Sequence, residues 1–76
     1  MEQKIKNVMA SVFKVDLSDI NEDASPDSLE NWDSLGHMNL VVALEEEFNI
    51  TFQEDEIIEM LNYKLVREII KNKMGS

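Results

Sequence analysis

The chain has 76 residues, 43% of them hydrophobic, with two glycines, one proline and no cysteine. This describes a single globular domain spanning residues 1–76, with no disulfide framework and no Cys-based zinc site. Sixteen acids against seven bases give a net charge of −9, which excludes nucleic acid as a partner, because phosphate neutralisation needs a basic surface.

The longest apolar run, Leu40 to Leu44, is far too short for stable membrane insertion. The opening Met-Glu-Gln-Lys-Ile-Lys lacks the apolar core of a signal peptide. A cytoplasmic monomer is the default expectation. The charge keeps so small a protein soluble, and it also offers a surface that steers basic partners. Its self-repulsion predicts that salt or divalent cations stabilise the fold.

In chain order, the first element is a helix from Glu2 to about Phe13. Ile5, Val8, Met9, Val12 and Phe13 make one buried stripe at helical spacing. From Lys14 to Asp33 that pattern stops. Several Asp and Ser residues and the only proline, Pro26, define a long loop of a kind that often carries function. Val15, Leu17, Ile20, Leu29 and Trp32 are its expected anchors into the core.

A second helix runs from about Ser34 to Phe48, with Asp33 as N-cap and Asn49 suited to a left-handed C-cap. A short third helix follows, about Glu54 to Leu61, with Ile57, Ile58 and Leu61 expected to face inward. Asn62 or Tyr63 breaks it. The last helix, about Lys64 to Lys73, carries Leu65, Val66, Ile69 and Ile70. Met74, Gly75 and Ser76 form a frayed end. No segment alternates long enough for a sheet, so the fold class is all-α: a small four-helix bundle with a long loop between helices 1 and 2 and a short helix 3.

The second helix carries two apolar stripes. Leu40, Val41, Leu44 and Phe48 share one face; Leu35, Met38 and Val42 share another, flanked by Glu45 and Glu46. Such a helix is either buried centrally or presents one stripe to a partner. The acids at its sides and the serine at its end favour the partner-facing reading.

Ser34 sits where free N–H groups and the positive end of the helix dipole favour an anion, so its hydroxyl is well placed to carry a phosphodiester. It is not set up as a nucleophile. His37, the only histidine, projects toward the core stripe and reads as a partly buried residue hydrogen-bonded to the loop above it. There is no nucleophile elbow and no glycine-rich oxyanion hole. No catalytic residue is assigned, and the chain is not expected to be an enzyme.

Taken together, Asp33-Ser34-Leu35, the following Leu40 to Phe48, Ile50-Thr51-Phe52 and Val66 to Ile70, over essentially the full length, resemble the acyl carrier protein family. The resemblance implies that a separate phosphopantetheinyl transferase places phosphopantetheine from coenzyme A on Ser34. The arm's thiol then holds acyl or related intermediates as thioesters, which suits a chain with no cysteine. It also implies acyl-loading and acyl-processing partner enzymes with basic docking patches, with Asp33, Leu35, Met38, Val42, Glu45 and Glu46 as contacts.

Gly36 and Asn39 are uncharged where fatty-acid-synthesis members often carry acids, and Asn31-Trp32 stands where those members have a glycine and a smaller residue. These departures make a specialised pathway, such as polyketide, nonribosomal peptide or glycan modification, as well supported as fatty acid synthesis.

Two readings from other classes compete. Asp19 to Glu30 places oxygen side chains at positions 1, 3, 5, 9 and 12 of an EF-hand-type calcium loop. Ala24 stands where the turn calls for glycine, however, and Pro26 removes a backbone donor, so no metal ligand is assigned. An acidic interaction module that is never modified is the other alternative.

Overall fold

The structure, a computed structural model, describes residues 2–75. Its elements are α1 (Glu2–Phe13), a 3₁₀ turn (Leu17–Asp19), α2 (Ser34–Phe48), α3 (Glu54–Glu59) and α4 (Tyr63–Lys73). Among the described residues there is no strand and no helix long and apolar enough to cross a membrane.

Helix α1 buries Ile5, Met9 and Phe13 completely, four residues apart on one face, with Val8 and Val12 half-buried beside them. It stops at Lys14, which takes a left-handed φ of 58° so that the Val15 N–H reaches back to the Ala10 carbonyl at 3.1 Å. Helix α2 ends the same way at Asn49, with φ 54° and the Ile50 N–H on Glu45 O at 3.1 Å.

The long loop is a packed layer. Ile20, Ala24, Leu29 and Trp32 are buried, and Val15 is half-buried. Leu17 departs from its expected role as an anchor: it is 45% exposed, because the 3₁₀ turn it opens sends Ile20 inward instead. Tyr63 N–H donates to Ala24 O at 2.9 Å, and Asn31 Nδ2 donates to Phe13 O at 2.7 Å, so the loop is pinned to both α4 and α1.

The Asn21 and Ser28 side chains serve the loop's own turns. The Asp23 N–H donates to Asn21 Oδ1 at 2.9 Å, and the Ser25 N–H to Ser28 Oγ at 3.0 Å. Among the described residues no three His, Cys, Asp or Glu side chains are arranged to hold a metal ion. Helix α1 ends at Phe13 and α2 starts at Ser34, so neither flanks Asp19–Glu30 as EF-hand helices flank their loop.

Helix α3 is shorter than the sequence pattern predicts, and this corrects its facing. It ends at Glu59, with Met60 as C-cap. Met60 turns into the core at 1% exposure, whereas Ile58 and Leu61, expected to face inward, are 67% and 62% exposed. Only Ile57 of the expected trio packs against the core.

Helix α4 starts one residue earlier than expected. Asn62 caps it through the Leu65 N–H at 2.8 Å, and Tyr63 is fully buried in its first turn because Ala24 O accepts its otherwise orphaned N–H. Val66 and Ile70 complete its buried face, while Leu65 stays on the surface. Met74 and Gly75 form a hydrogen-bonded turn rather than a frayed end, through Ile70 O and Asn72 O; Ser76 lies outside the described residues.

Ion pairs join the elements. Arg67 of α4 meets Glu22 of the loop at 2.8 Å and Glu2 of α1 at 3.3 Å, and Lys73 meets Glu56 of α3 at 2.8 Å. These partners hold the Glu22 and Glu56 carboxyls below the ordinary glutamate range. For Glu22 the cause is the Arg67 hydrogen bond. For Glu56 it is first the Gln53 N–H and then Lys73.

Candidate functional site

Ser34 is the first residue of α2 and is exposed. Asp33, in extended conformation, caps the helix: its Oδ1 accepts the Gly36 N–H at 2.8 Å, and its carbonyl accepts the His37 N–H at 2.7 Å. The N–H groups of Ser34 and Leu35 lie in the first turn and have no intrahelical acceptor. The serine hydroxyl therefore projects from a helix end whose dipole and donors favour an anion.

The backbone at this point is set by Gly36. A Cβ there would lie 2.0 Å from the carbonyl oxygen of Asn31, so only glycine lets the end of the loop lie against the first turn of α2. The Asn31 side chain holds the other side by its bond to Phe13 O. Gly36 is buried for this reason. From sequence it registers only as a missing acid; a glycine inside a helical pattern is the general signal of such a close approach.

Beneath Ser34 lies a side-chain chain of contacts. Trp32, 1% exposed, stacks on Phe13 with ring centroids 5.1 Å apart and lies nearly parallel to His37 at 6.2 Å. Its indole N–H donates to His37 Nδ1 at 2.9 Å, and His37 Nε2 lies 2.9 Å from Ile57 O. Because Nδ1 accepts, the proton sits on Nε2 and is donated to Ile57 O. Both imidazole nitrogens are thus engaged, and neither is turned to the serine as a base.

The exposed side of this chain is an open groove of about 640 Å³ that begins at Asp33 and Ser34. Trp32 and Met60 are its most buried walls, and Met38, Ile58 and Leu61 are exposed walls. Leu61 reaches this wall because α3 ends early, at Glu59, and Ile58 stands there on the exposed face of α3. The periodic pattern, read as a longer helix, places them in the core.

The second stripe of α2 lies on the surface: Leu35 is 72%, Met38 49% and Val42 51% exposed. Asp33 and Glu46 are exposed, and Glu45 is half-buried. Helical spacing sets Leu35, Met38, Val42, Glu45 and Glu46 on one side of α2, with Asp33 at its cap, but Glu45 also has an internal task. Its Oε2 accepts the N–H of buried Phe52 at 2.9 Å and so holds the connector after α2.

A family model described as "Phosphopantetheine attachment site" matches residues 3–71. The chain is similar to an acyl carrier protein of Thermosynechococcus vestitus, 31% identical over 74 residues, covering 97% of this chain and 91% of that one. It is similar to an acyl carrier protein of Chlamydia caviae, 31% identical over 75 residues, covering 99% of this chain and 97% of that one. Among solved structures, holo acyl carrier protein from Geobacter metallireducens superposes with a TM-score of 0.87 at 27% identity, covering 97% of this chain and 85% of that one.

Proposed function

The chain belongs to the acyl carrier protein family, whose members carry covalently attached phosphopantetheine, and from that membership we propose that Ser34 is the attachment residue. The single observation that carries this is the exposed Ser34 hydroxyl at the capped start of α2, opening onto the groove. The residues present suit the group. Two first-turn N–H groups and the helix dipole favour its phosphodiester, and the apolar walls beside Ser34 suit the uncharged remainder of the arm.

Attachment forms a bond from Ser34 Oγ to phosphorus and breaks the pyrophosphate linkage of coenzyme A. The nucleotide portion leaves, and the hydroxyl proton passes to a base on a phosphopantetheinyl transferase. That base comes from the transferase because His37 is committed to Trp32 and Ile57. When bound, the arm supplies the thiol that this chain, without cysteine, does not have, and that thiol carries acyl groups as thioesters.

Loading and processing enzymes dock on Leu35, Met38 and Val42, whose exposed side chains give apolar contact. Asp33, Glu45 and Glu46 steer basic patches toward that stripe. The pathway served is fatty acid synthesis or a specialised acyl pathway, in the cytoplasm.

Incubation with coenzyme A, magnesium and a transferase of broad specificity tests the attachment. The intact mass rises by one phosphopantetheine, and the gain is absent in Ser34→Ala. An unchanged mass with a transferase active on a control carrier, or a gain that persists in Ser34→Ala, overturns the assignment.

A further inference from the structure

A cargo attached at Ser34 has two places to go: along the open groove, or past Trp32 into the space between the helices. Trp32 and Met60, both 1% exposed, close the second way. The indole is held by Phe13 stacked on it and by His37 through Nε1–H, and His37 is itself anchored on the carbonyl of Ile57. Moving the indole aside forfeits the hydrogen bond and the stacking together, and leaves a buried N–H without an acceptor.

The groove itself is open, and its outer walls Met38, Ile58 and Leu61 are themselves exposed. It offers apolar contact without enclosure. A short acyl group, or one with polar substituents, loses nothing in such a setting. A long alkyl chain stays largely in water there and gains little of the burial that makes enclosure favourable.

We propose that Trp32, held by His37, sets the cargo of this carrier: it excludes the acyl group from the bundle interior and favours short or polar acyl groups over long alkyl chains. This rests on Ser34 being the attachment residue. His37 acts through Trp32 and is a positioning residue.

The test loads acetyl and octanoyl groups from the corresponding coenzyme A thioesters onto the wild-type chain with the same transferase. Mass spectrometry verifies loading. Amide chemical shifts and the rate of thioester cleavage by hydroxylamine are then recorded. The expected result is that the octanoyl chain shifts amides of Met38, Ile57, Ile58 and Leu61, leaves those of Met9, Leu44 and Val66 as in the acetyl form, and is cleaved at the same rate.

Shifts at Met9, Leu44 and Val66 that grow with chain length, together with slowed cleavage, overturn the proposal. Burial of roughly two methylenes already protects about tenfold, so the signal is large. Failure to gain mass instead refutes the attachment at Ser34, a distinct outcome.

In Trp32→Ala the octanoyl thioester is cleaved about tenfold more slowly than in wild type, because the space left by the indole admits the chain. An unchanged rate in a folded Trp32→Ala overturns the role of Trp32. If its amide spectrum shows it unfolded, His37→Leu, which releases the indole without emptying the core, takes its place with the same expected direction.

Discussion

The indole N–H of Trp32 donates to Nδ1 of His37 at 2.9 Å, and the two rings lie within 16° of parallel. One residue closes the long loop and the other sits in the first turns of α2, so this pair fixes the loop against the helix immediately beside Ser34. Through His37 Nε2 and Ile57 O it reaches α3 as well.

The pair predicts a measurable coupling. His37→Ala leaves the buried indole N–H without an acceptor and costs about 1–3 kcal/mol. Trp32→Phe keeps an aromatic ring over Phe13 but removes the donor and some volume, costing a similar amount. In a double-mutant cycle followed by circular dichroism in urea, the two losses are not additive, with a coupling of about 1 kcal/mol. Additive losses would mean that the hydrogen bond contributes nothing net.

Gly36 gives a prediction whose sign separates two effects. By intrinsic propensity, alanine in place of glycine within a helix stabilises by about 1 kcal/mol. Here the added Cβ meets the Asn31 carbonyl oxygen at 2.0 Å, a backbone atom held by the Asn31 side chain on Phe13 O. Displacing it costs more than propensity returns, so Gly36→Ala is destabilised by about 1–3 kcal/mol. Because Trp32 and Asp33 follow Asn31 directly, transferase modification of Ser34 also slows. A Gly36→Ala chain more stable than wild type refutes the close approach.

Glu45 and Glu46 look alike in the sequence and differ in the structure. Glu45→Ala orphans the Phe52 N–H and costs about 1–2 kcal/mol, whereas Glu45→Gln keeps an acceptor and retains most of that stability. Glu46 is exposed, so Glu46→Gln changes stability by less than about 0.5 kcal/mol. If both acids steer basic partners, both Gln variants weaken transferase binding at low salt, and the differences shrink at high salt. Thermal melts alongside binding titrations separate the two roles.

The parts of the fold that were legible in the sequence are those governed by local rules. Helices α1 and α2, the Asp33 cap and the left-handed Asn49 follow from helical periodicity and capping chemistry. So does the division of α2 into a buried and an exposed stripe. What was hidden depends on tertiary contact. Lys14 ends α1 in a left-handed conformation without being glycine or asparagine. Tyr63 begins α4 because a loop carbonyl 39 positions earlier, Ala24 O, accepts its N–H. Met60 replaces Leu61 in the core because α3 stops after six residues, too short for periodicity to set its face. Of the candidate site, the position of Ser34 at the start of α2 and the exposure of the stripe of Leu35, Met38 and Val42 could be read in advance. The groove could not, since its walls come from the loop, α2, α3 and the two residues Met60 and Leu61 that follow α3.

The last prediction concerns pH. Glu22 accepts Arg67 at 2.8 Å, and that hydrogen bond, followed by the charge of the guanidinium, holds its carboxyl below the ordinary glutamate value of 4.5. A carboxyl lowered in the folded state contributes stability that is fully present above its unfolded value. The contribution is lost as pH falls through the folded value. The melting temperature of wild type therefore exceeds that of Glu22→Gln at neutral pH, and the gap closes on the acid side of about pH 4.5. Two other effects overlap with this one. Acid also relieves the self-repulsion of a chain at −9, and Glu22→Gln itself removes one negative charge. Glu30→Gln, at an exposed acid of the same loop, removes the same charge and serves as the reference. Against that reference, Glu22→Gln is less stable at pH 7 and equal to it in acid. A difference that stays constant with pH would show that the Arg67 contact does not distinguish charged from neutral Glu22.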